Sequence, residues 1–66
     1  MKQDEYEKLR AVFLKAFASV PSSLRDQIIL AIDGRPYTWD NVFVEIRAGT
    51  DKSKKMLEGL KKLELI

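Results

Sequence analysis

The chain has 66 residues, with twelve Lys or Arg, ten Asp or Glu, no Cys and no His. A domain of this size buries only about 60% of its unfolded surface, and without Cys or His it lacks both disulfides and the commonest neutral metal ligand. The formal net charge of +2 is too small to indicate a strong nucleic-acid binder. We therefore expect one domain, residues 1–66, that is stabilised by packing or by self-association.

The sequence contains no apolar run near the roughly 18 residues that a membrane span needs. Its charged start, MKQDEYEKLR, lacks the apolar block of a signal peptide. These features predict a soluble cytoplasmic protein without a membrane partner. One third of the residues are charged and many are Lys and Glu, a composition that is common in proteins of heat-loving organisms.

The first predicted helix covers about residues 4–19. At 100° per residue, six of its apolar side chains fall within one stripe about 100° wide, opposite a charged face. Pro21 ends this helix, because the residue before a proline is pushed out of the helical region. The stripe consists of Tyr6, Leu9, Phe13, Ala16, Phe17 and Val20.

A second helix is predicted over about residues 23–33, with Ser22 or Ser23 as its N-cap and Gly34 at its end. The run IILAI makes this helix apolar nearly all round, which is typical of a helix buried on more than one side. An alternative interpretation of the same run is a strand over 27–32 that pairs with a strand over 42–46.

The third predicted helix covers 38–48. Thr38 is placed to cap its first turn, and Gly49 to close it in the left-handed conformation. The fourth covers 51–63, and we expect Gly59 to allow a neighbouring helix to approach closely, since glycine otherwise costs a helix about 1 kcal/mol.

The preferred fold is accordingly all-α, a small bundle of four short helices; the alternative is an α+β domain with a central β-hairpin between terminal helices. The predicted core consists of Leu9, Phe13, Phe17, Leu24, Ile28, Ile32, Trp39, Phe43, Ile46, Leu57, Leu60 and Leu63.

Nucleophilic catalysis has few candidate residues, because Ser-His and Cys-His arrangements are impossible and no Gly-rich phosphate loop is present. Asp33, Asp40 and Asp51 lie near predicted helix ends, where carboxylates serve as caps. We expect no enzyme activity, no metal and no cofactor.

We expect instead a protein-protein interaction or accessory module that self-associates, because several large apolar residues lie off their helical stripes. Arg35 and the aromatic residues Tyr37 and Trp39 lie around a turn that Pro36 fixes. Arg and aromatic side chains are enriched at protein interfaces, so this cluster also indicates an interface. The predicted interface consists of Leu14, Ile29, Leu30, Arg35, Tyr37 and Trp39.

The alternative function is nucleic-acid binding by the Lys-rich C-terminal helix. Its contacts would be Lys54, Lys55, Lys61 and Lys62. Interleaved acids and the lack of aromatics among these lysines favour a solvated face over such a binding surface.

Overall fold

The structure is a computed structural model that describes residues 2–66, and it is an α+β fold with a β-hairpin between the first helix and the last two. A short 3-10 turn at Ser22–Leu24 follows the first helix. In chain order the regular elements are α1 (Gln3–Ala18), β1 (Ile28–Ile32), β2 (Arg35–Thr38), α2 (Trp39–Ala48) and α3 (Asp51–Lys62).

The hairpin turns at Asp33 and Gly34, which have φ angles of 52° and 80°. Positive φ at both central residues is the geometry of a type I′ turn, whose twist matches that of the two strands. Asp tolerates this region and glycine adopts it without cost. The register pairs Ile32 with Arg35 and Ile28 with Thr38, and one extra residue on β1, Ile29, forms a bulge.

The preferred four-helix bundle was wrong, and the α+β alternative with a central hairpin is confirmed. Residues 23–33 do not form a helix, because IILAI is rich in β-branched residues and runs directly into a turn sequence suited to a hairpin. The alternative was correct that this run is a strand, but its partner is 35–38 and not 42–46.

The other helices agree with the predictions to within a residue. Thr38 caps α2: its hydroxyl accepts the N–H of Asn41 at 3.2 Å, and the Asn41 side chain accepts the Thr38 N–H at 3.2 Å. Gly49 ends α2 with φ 69° and ψ 35°, as expected. Thr50 then caps α3 by accepting the Ser53 N–H at 3.2 Å.

The core lies where the three helices meet one face of the hairpin. Five predicted core residues are buried: Phe13, Phe17, Ile46, Leu57 and Leu60. Leu9, Ile32, Trp39 and Phe43 are partly buried against them. Buried residues absent from the predicted core are Tyr6, Leu30, Val42, Ser53 and Met56.

Three predicted core residues are exposed, and each was misplaced for a local reason. Leu24 lies in the 3-10 turn, Ile28 lies at the open end of β1, and Leu63 lies one residue beyond α3. Leu24 and Ile28 were predicted to be buried because they share one stripe of a helix over 23–33, and that helix does not form.

A stack of side chains fixes α1 against α2. The centroids of the Phe17 and Phe43 rings lie 4.2 Å apart with an interplanar angle of 9°, and the Arg25 guanidinium lies 4.6 Å from the Phe17 centroid. Phe13 continues the contact to Trp39, with ring centroids 5.7 Å apart. Offset aromatic pairs of this kind add about 0.5–1.5 kcal/mol beyond area burial.

A buried hydrogen bond joins α1 to α3. The Tyr6 hydroxyl lies 2.9 Å from Ser53 Oγ, and the Ser53 hydroxyl donates to the carbonyl oxygen of Thr50. Since Ser53 has one hydroxyl proton, already donated to Thr50, Tyr6 must be the donor in the bond to Ser53.

This pairing predicts a specific energetic coupling. Ser53→Ala leaves the Tyr6 hydroxyl without its acceptor and should cost about 1–3 kcal/mol, and Tyr6→Phe should cost about 1 kcal/mol. The double variant should lose about 1 kcal/mol less than the sum of both, because the second change removes an already broken bond. Urea unfolding of the four proteins measures the coupling, and strictly additive losses would contradict it.

Candidate functional site

The outer edge of β1 has no strand partner. The sheet contains two strands, and within residues 2–66 no backbone hydrogen bond joins Ile28–Ile32 to any element other than β2. Hydrogen-bonded pairs alternate along an antiparallel ladder, beginning with the pair that flanks a two-residue turn. Ile32 and Arg35 are that pair, so the N–H and C=O of Ala31 point away from β2. They are available to another strand.

The opposite edge of the hairpin is closed to pairing. Pro36 lies opposite Ala31, at the position where an N–H would point outward from β2. Proline has no N–H, and its presence on an edge is a common way of preventing further strand addition. The hairpin therefore has one edge that can accept a strand and one that cannot.

An apolar groove of about 550 Å³ follows the open edge between β1 and α3. Its two most exposed large apolar residues are Ile28, which is 64% exposed, and Leu63, which is 57% exposed. Lys62 lies at its rim and can keep its ammonium group in water. The groove is lined by Ile28, Ile29, Leu30, Ala31, Gly59, Lys62 and Leu63.

Gly59 brings β1 close to α3. A Cβ at this position would lie 2.8 Å from Leu30 Cδ1, closer than real carbon atoms approach. A close approach at Gly59 is confirmed, although the element that approaches is a strand and not the helix we expected. The contact lets Leu30 fill the floor of the groove.

Gly59→Ala should therefore show an effect that depends on residue 30. Alanine stabilises a helix interior by about 1 kcal/mol relative to glycine, but here its methyl group would displace Leu30. We expect most of that gain in a Leu30→Val background, where the clashing methyl group is gone, and little or none in the wild-type chain. If Gly59→Ala raised the free energy of unfolding in urea equally in both backgrounds, Leu30 would not oppose a methyl group at position 59.

The predicted interface residues do not form one surface. Leu30 is buried, at 6% exposure, and Leu14, Ile29, Tyr37 and Trp39 are half-buried against the core. Arg35 is exposed. The structure thus places Ile29 and Leu30 in the groove but Arg35 and Tyr37 beside the hairpin turn, with Leu14 and Trp39 apart from both.

The two most exposed large apolar residues of the groove were not among the predicted interface residues. Ile28 and Leu63 were assigned to the core, so their exposure could not be foreseen from helical stripes. The signal that could have found Ile28 is the Asp33-Gly34 dipeptide, because a type I′ hairpin there fixes IILAI as a strand with one free edge.

The four lysines of the alternative function lie on two neighbouring rows of α3, because Lys54 and Lys61, like Lys55 and Lys62, are seven residues apart. Lys61 forms an ion pair with Glu5 at 2.8 Å, and this hydrogen bond, with the charge of Lys61, lowers the pKa of the Glu5 carboxyl. The Lys54 ammonium lies 5.7 Å from the centre of the Tyr6 ring. Lys55 lies near the hairpin turn and Lys62 at the groove. All four side chains are exposed on α3, and Lys61 is already paired with Glu5.

The carboxylates near helix ends have local roles. Asp33 occupies the hairpin turn, and Asp40 and Asp51 lie in the first turns of α2 and α3, where a negative charge is favourable. Within residues 2–66 no three acidic residues cluster as a metal site would require. In the same range, no helix is both long and apolar enough to cross a bilayer.

The site thus consists of an open strand edge, an apolar groove and an exposed isoleucine and leucine. Comparison of the chain with protein-family models, with curated proteins and with solved structures found no match.

Proposed function

We propose that the protein is a non-enzymatic interaction module that self-associates by pairing the β1 edges of two copies. The observation that carries this proposal is the unpaired edge of β1 beside Ile28, 64% exposed, and Leu63, 57% exposed. An open strand edge with apolar side chains promotes uncontrolled aggregation unless a partner or another element covers it.

A second copy fits this edge for three reasons. Antiparallel pairing of a strand with itself satisfies the backbone groups of both copies, and such two-fold interfaces are the commonest in soluble oligomers. The sequence IILAI carries no charge, so no like charges meet across the axis. A 66-residue chain also gains the apolar burial that its small core lacks.

Pairing at β1 would also end after two copies. The combined sheet would have the order β2, β1, β1 of the second copy, β2 of the second copy, with Pro36 at both outer edges. Neither outer edge accepts another strand readily, so the assembly closes as a dimer and does not grow into a fibre.

The test is molecular mass by light scattering after size exclusion, across a concentration series. The wild-type mass should approach twice 7.6 kDa. Ile28→Ser should weaken the dimer by roughly tenfold or more, because each copy loses a buried isoleucine side chain at the interface.

Val44→Ser is the matched control, because Val44 is 62% exposed but lies on α2, away from the groove. We expect it to leave the dimer unchanged. A wild-type monomer at the highest concentration, or equal dissociation by both variants, would contradict pairing at β1.

A further inference from the structure

Three cationic side chains meet beside the hairpin turn, away from the β1 groove. Arg35 comes from β2, and Lys52 and Lys55 lie three residues apart, on one face of α3. Together with Ile32, Asp33 and Tyr37 they line a cleft of about 200 Å³. At roughly 30 Å³ per water molecule, this cleft has room for a small polyatomic anion.

None of these cations is neutralised by an ion pair. Within residues 2–66 the one pair closer than 4 Å joins Lys61 and Glu5. Asp33 is the sole acid on the wall of the cleft, so three positive charges minus one negative leave a formal excess of two. Arg binds phosphate through a planar fork, and Lys provides a compact charge that also suits phosphate.

A second cleft of about 460 Å³ adjoins the first, and the two share Arg35, Tyr37 and Lys52 as walls. Tyr37 is half-buried, so its ring is held in place between them, and the Lys52 ammonium lies 5.7 Å from the ring centre. A fixed aromatic ring beside cationic groups is the usual platform on which a nucleic-acid base stacks.

The remaining walls of the second cleft suit a base as well. Pro36 and Val44 are apolar, and the Asn41 amide donates or accepts hydrogen bonds at a base edge. The Asn41 oxygen already accepts the Thr38 N–H, which leaves its NH₂ group as the free donor. Glu45 also lines this cleft, and its carboxylate accepts the Thr50 hydroxyl.

We propose that these two clefts bind one nucleotide unit. Arg35, Lys52 and Lys55 hold the phosphate, and the base lies against Tyr37 with Pro36 and Val44 beneath it. The nucleotide is either free or part of a single strand, since both present the same phosphate and base. This site shares no lining residue with the β1 groove and does not depend on self-association.

The test follows backbone amide shifts of the full isotope-labelled chain during titration with adenosine 5′-monophosphate, with ribose 5-phosphate and with a ten-nucleotide oligo-dA. The first and third should give saturable shifts at Arg35, Tyr37 and Lys52. Adenosine 5′-monophosphate should bind more tightly than ribose 5-phosphate, because only the former has a base to stack.

Lys52→Gln should weaken nucleotide binding by roughly tenfold, because it removes one charged hydrogen bond to phosphate. Lys15→Gln is the matched control, since Lys15 is exposed on α1 and its loss changes net charge equally. It should change affinity by less than about twofold. Both positions are exposed, so both variants should fold.

Equal affinity for the mononucleotide and the oligonucleotide would support a free nucleotide as ligand. Tighter, strongly salt-dependent binding of the oligonucleotide would support a single strand. The proposal is overturned if no ligand gives saturable shifts, if ribose 5-phosphate binds as tightly as the mononucleotide, or if both lysine variants lose the same affinity. Ile28→Ser should not affect these titrations, so this site and the β1 interface can fail independently.

Discussion

Leu30→Ser is expected to unfold most of the protein at room temperature. Leu30 of β1 is 6% exposed, and its side chain packs against Gly59 of α3. Truncating a buried leucine to alanine costs about 2–5 kcal/mol, and the serine hydroxyl adds a buried polar group. A chain of 66 residues has only about 3–10 kcal/mol of total stability. Circular dichroism during heating measures the loss.

Ile28→Ser is the control for this prediction, because it changes an aliphatic side chain to serine two residues earlier on the same strand. Ile28 is 64% exposed, so the folded monomer should lose little stability, as is usual for surface substitutions. Dilute samples keep the comparison free of self-association. A Leu30→Ser protein that melts near the wild-type temperature would show that Leu30 is not part of the core.

Phe17→Ala is expected to have a comparable effect. The Phe17 ring stacks on Phe43 and lies 4.6 Å from the Arg25 guanidinium, and it also contacts Phe13, with centroids 6.1 Å apart. Its removal opens a cavity, which costs about 3–5 kcal/mol, and breaks the contacts of the ring with these three side chains. The free energy of unfolding, measured in urea, should fall by most of its wild-type value.

Phe17→Leu separates the cavity from the stacking. Leucine keeps much of the apolar volume but cannot stack on Phe43. Phe17→Leu should therefore lower the free energy of unfolding by about 1–2 kcal/mol, which corresponds to one lost aromatic pair and imperfect packing of the new side chain. If Phe17→Ala costs no more than Phe17→Leu, the site collapses around the missing ring and the stack does not hold α1 against α2.

Much of this fold could be predicted from sequence because the helices carry strong local signals. The apolar stripe of α1 ends at Pro21, and α2 is bounded by Thr38 and Gly49, whose capping and left-handed geometry the structure confirms. These features act within a few residues, so a single sequence suffices to place them.

The central run failed because its secondary structure depends on tertiary context. IILAI is equally apolar as a buried helix or a strand, and Gly34 serves equally as a helix C-cap or as the second residue of a type I′ turn. Because Gly34 was assigned to a helix end, the preferred prediction contained no hairpin. The Asp33-Gly34 dipeptide is the sequence feature that favours the hairpin over the helix. In the structure Asp33 has the positive φ, 52°, that a type I′ turn requires.

The candidate site was only partly predictable for the same reason. Apolar excess around residues 29 and 30 was visible in sequence, but which side chain faces water depends on the bulge at Ile29 and on the approach of Gly59. Leu30 points inward and Ile28 is exposed. Similarly, Arg35 and Tyr37 gain Lys52 and Lys55 as neighbours only when the hairpin lies on α3.

The most direct test of the central claim is isotope-filtered nuclear Overhauser spectroscopy on an equimolar mixture of labelled and unlabelled chains. Pairing of two β1 edges predicts contacts between Ile29–Ala31 of one copy and the same residues of the other. Dimeric mass with intermolecular contacts confined to other surfaces, or with none at β1, would contradict the claim that the open strand edge is the interface.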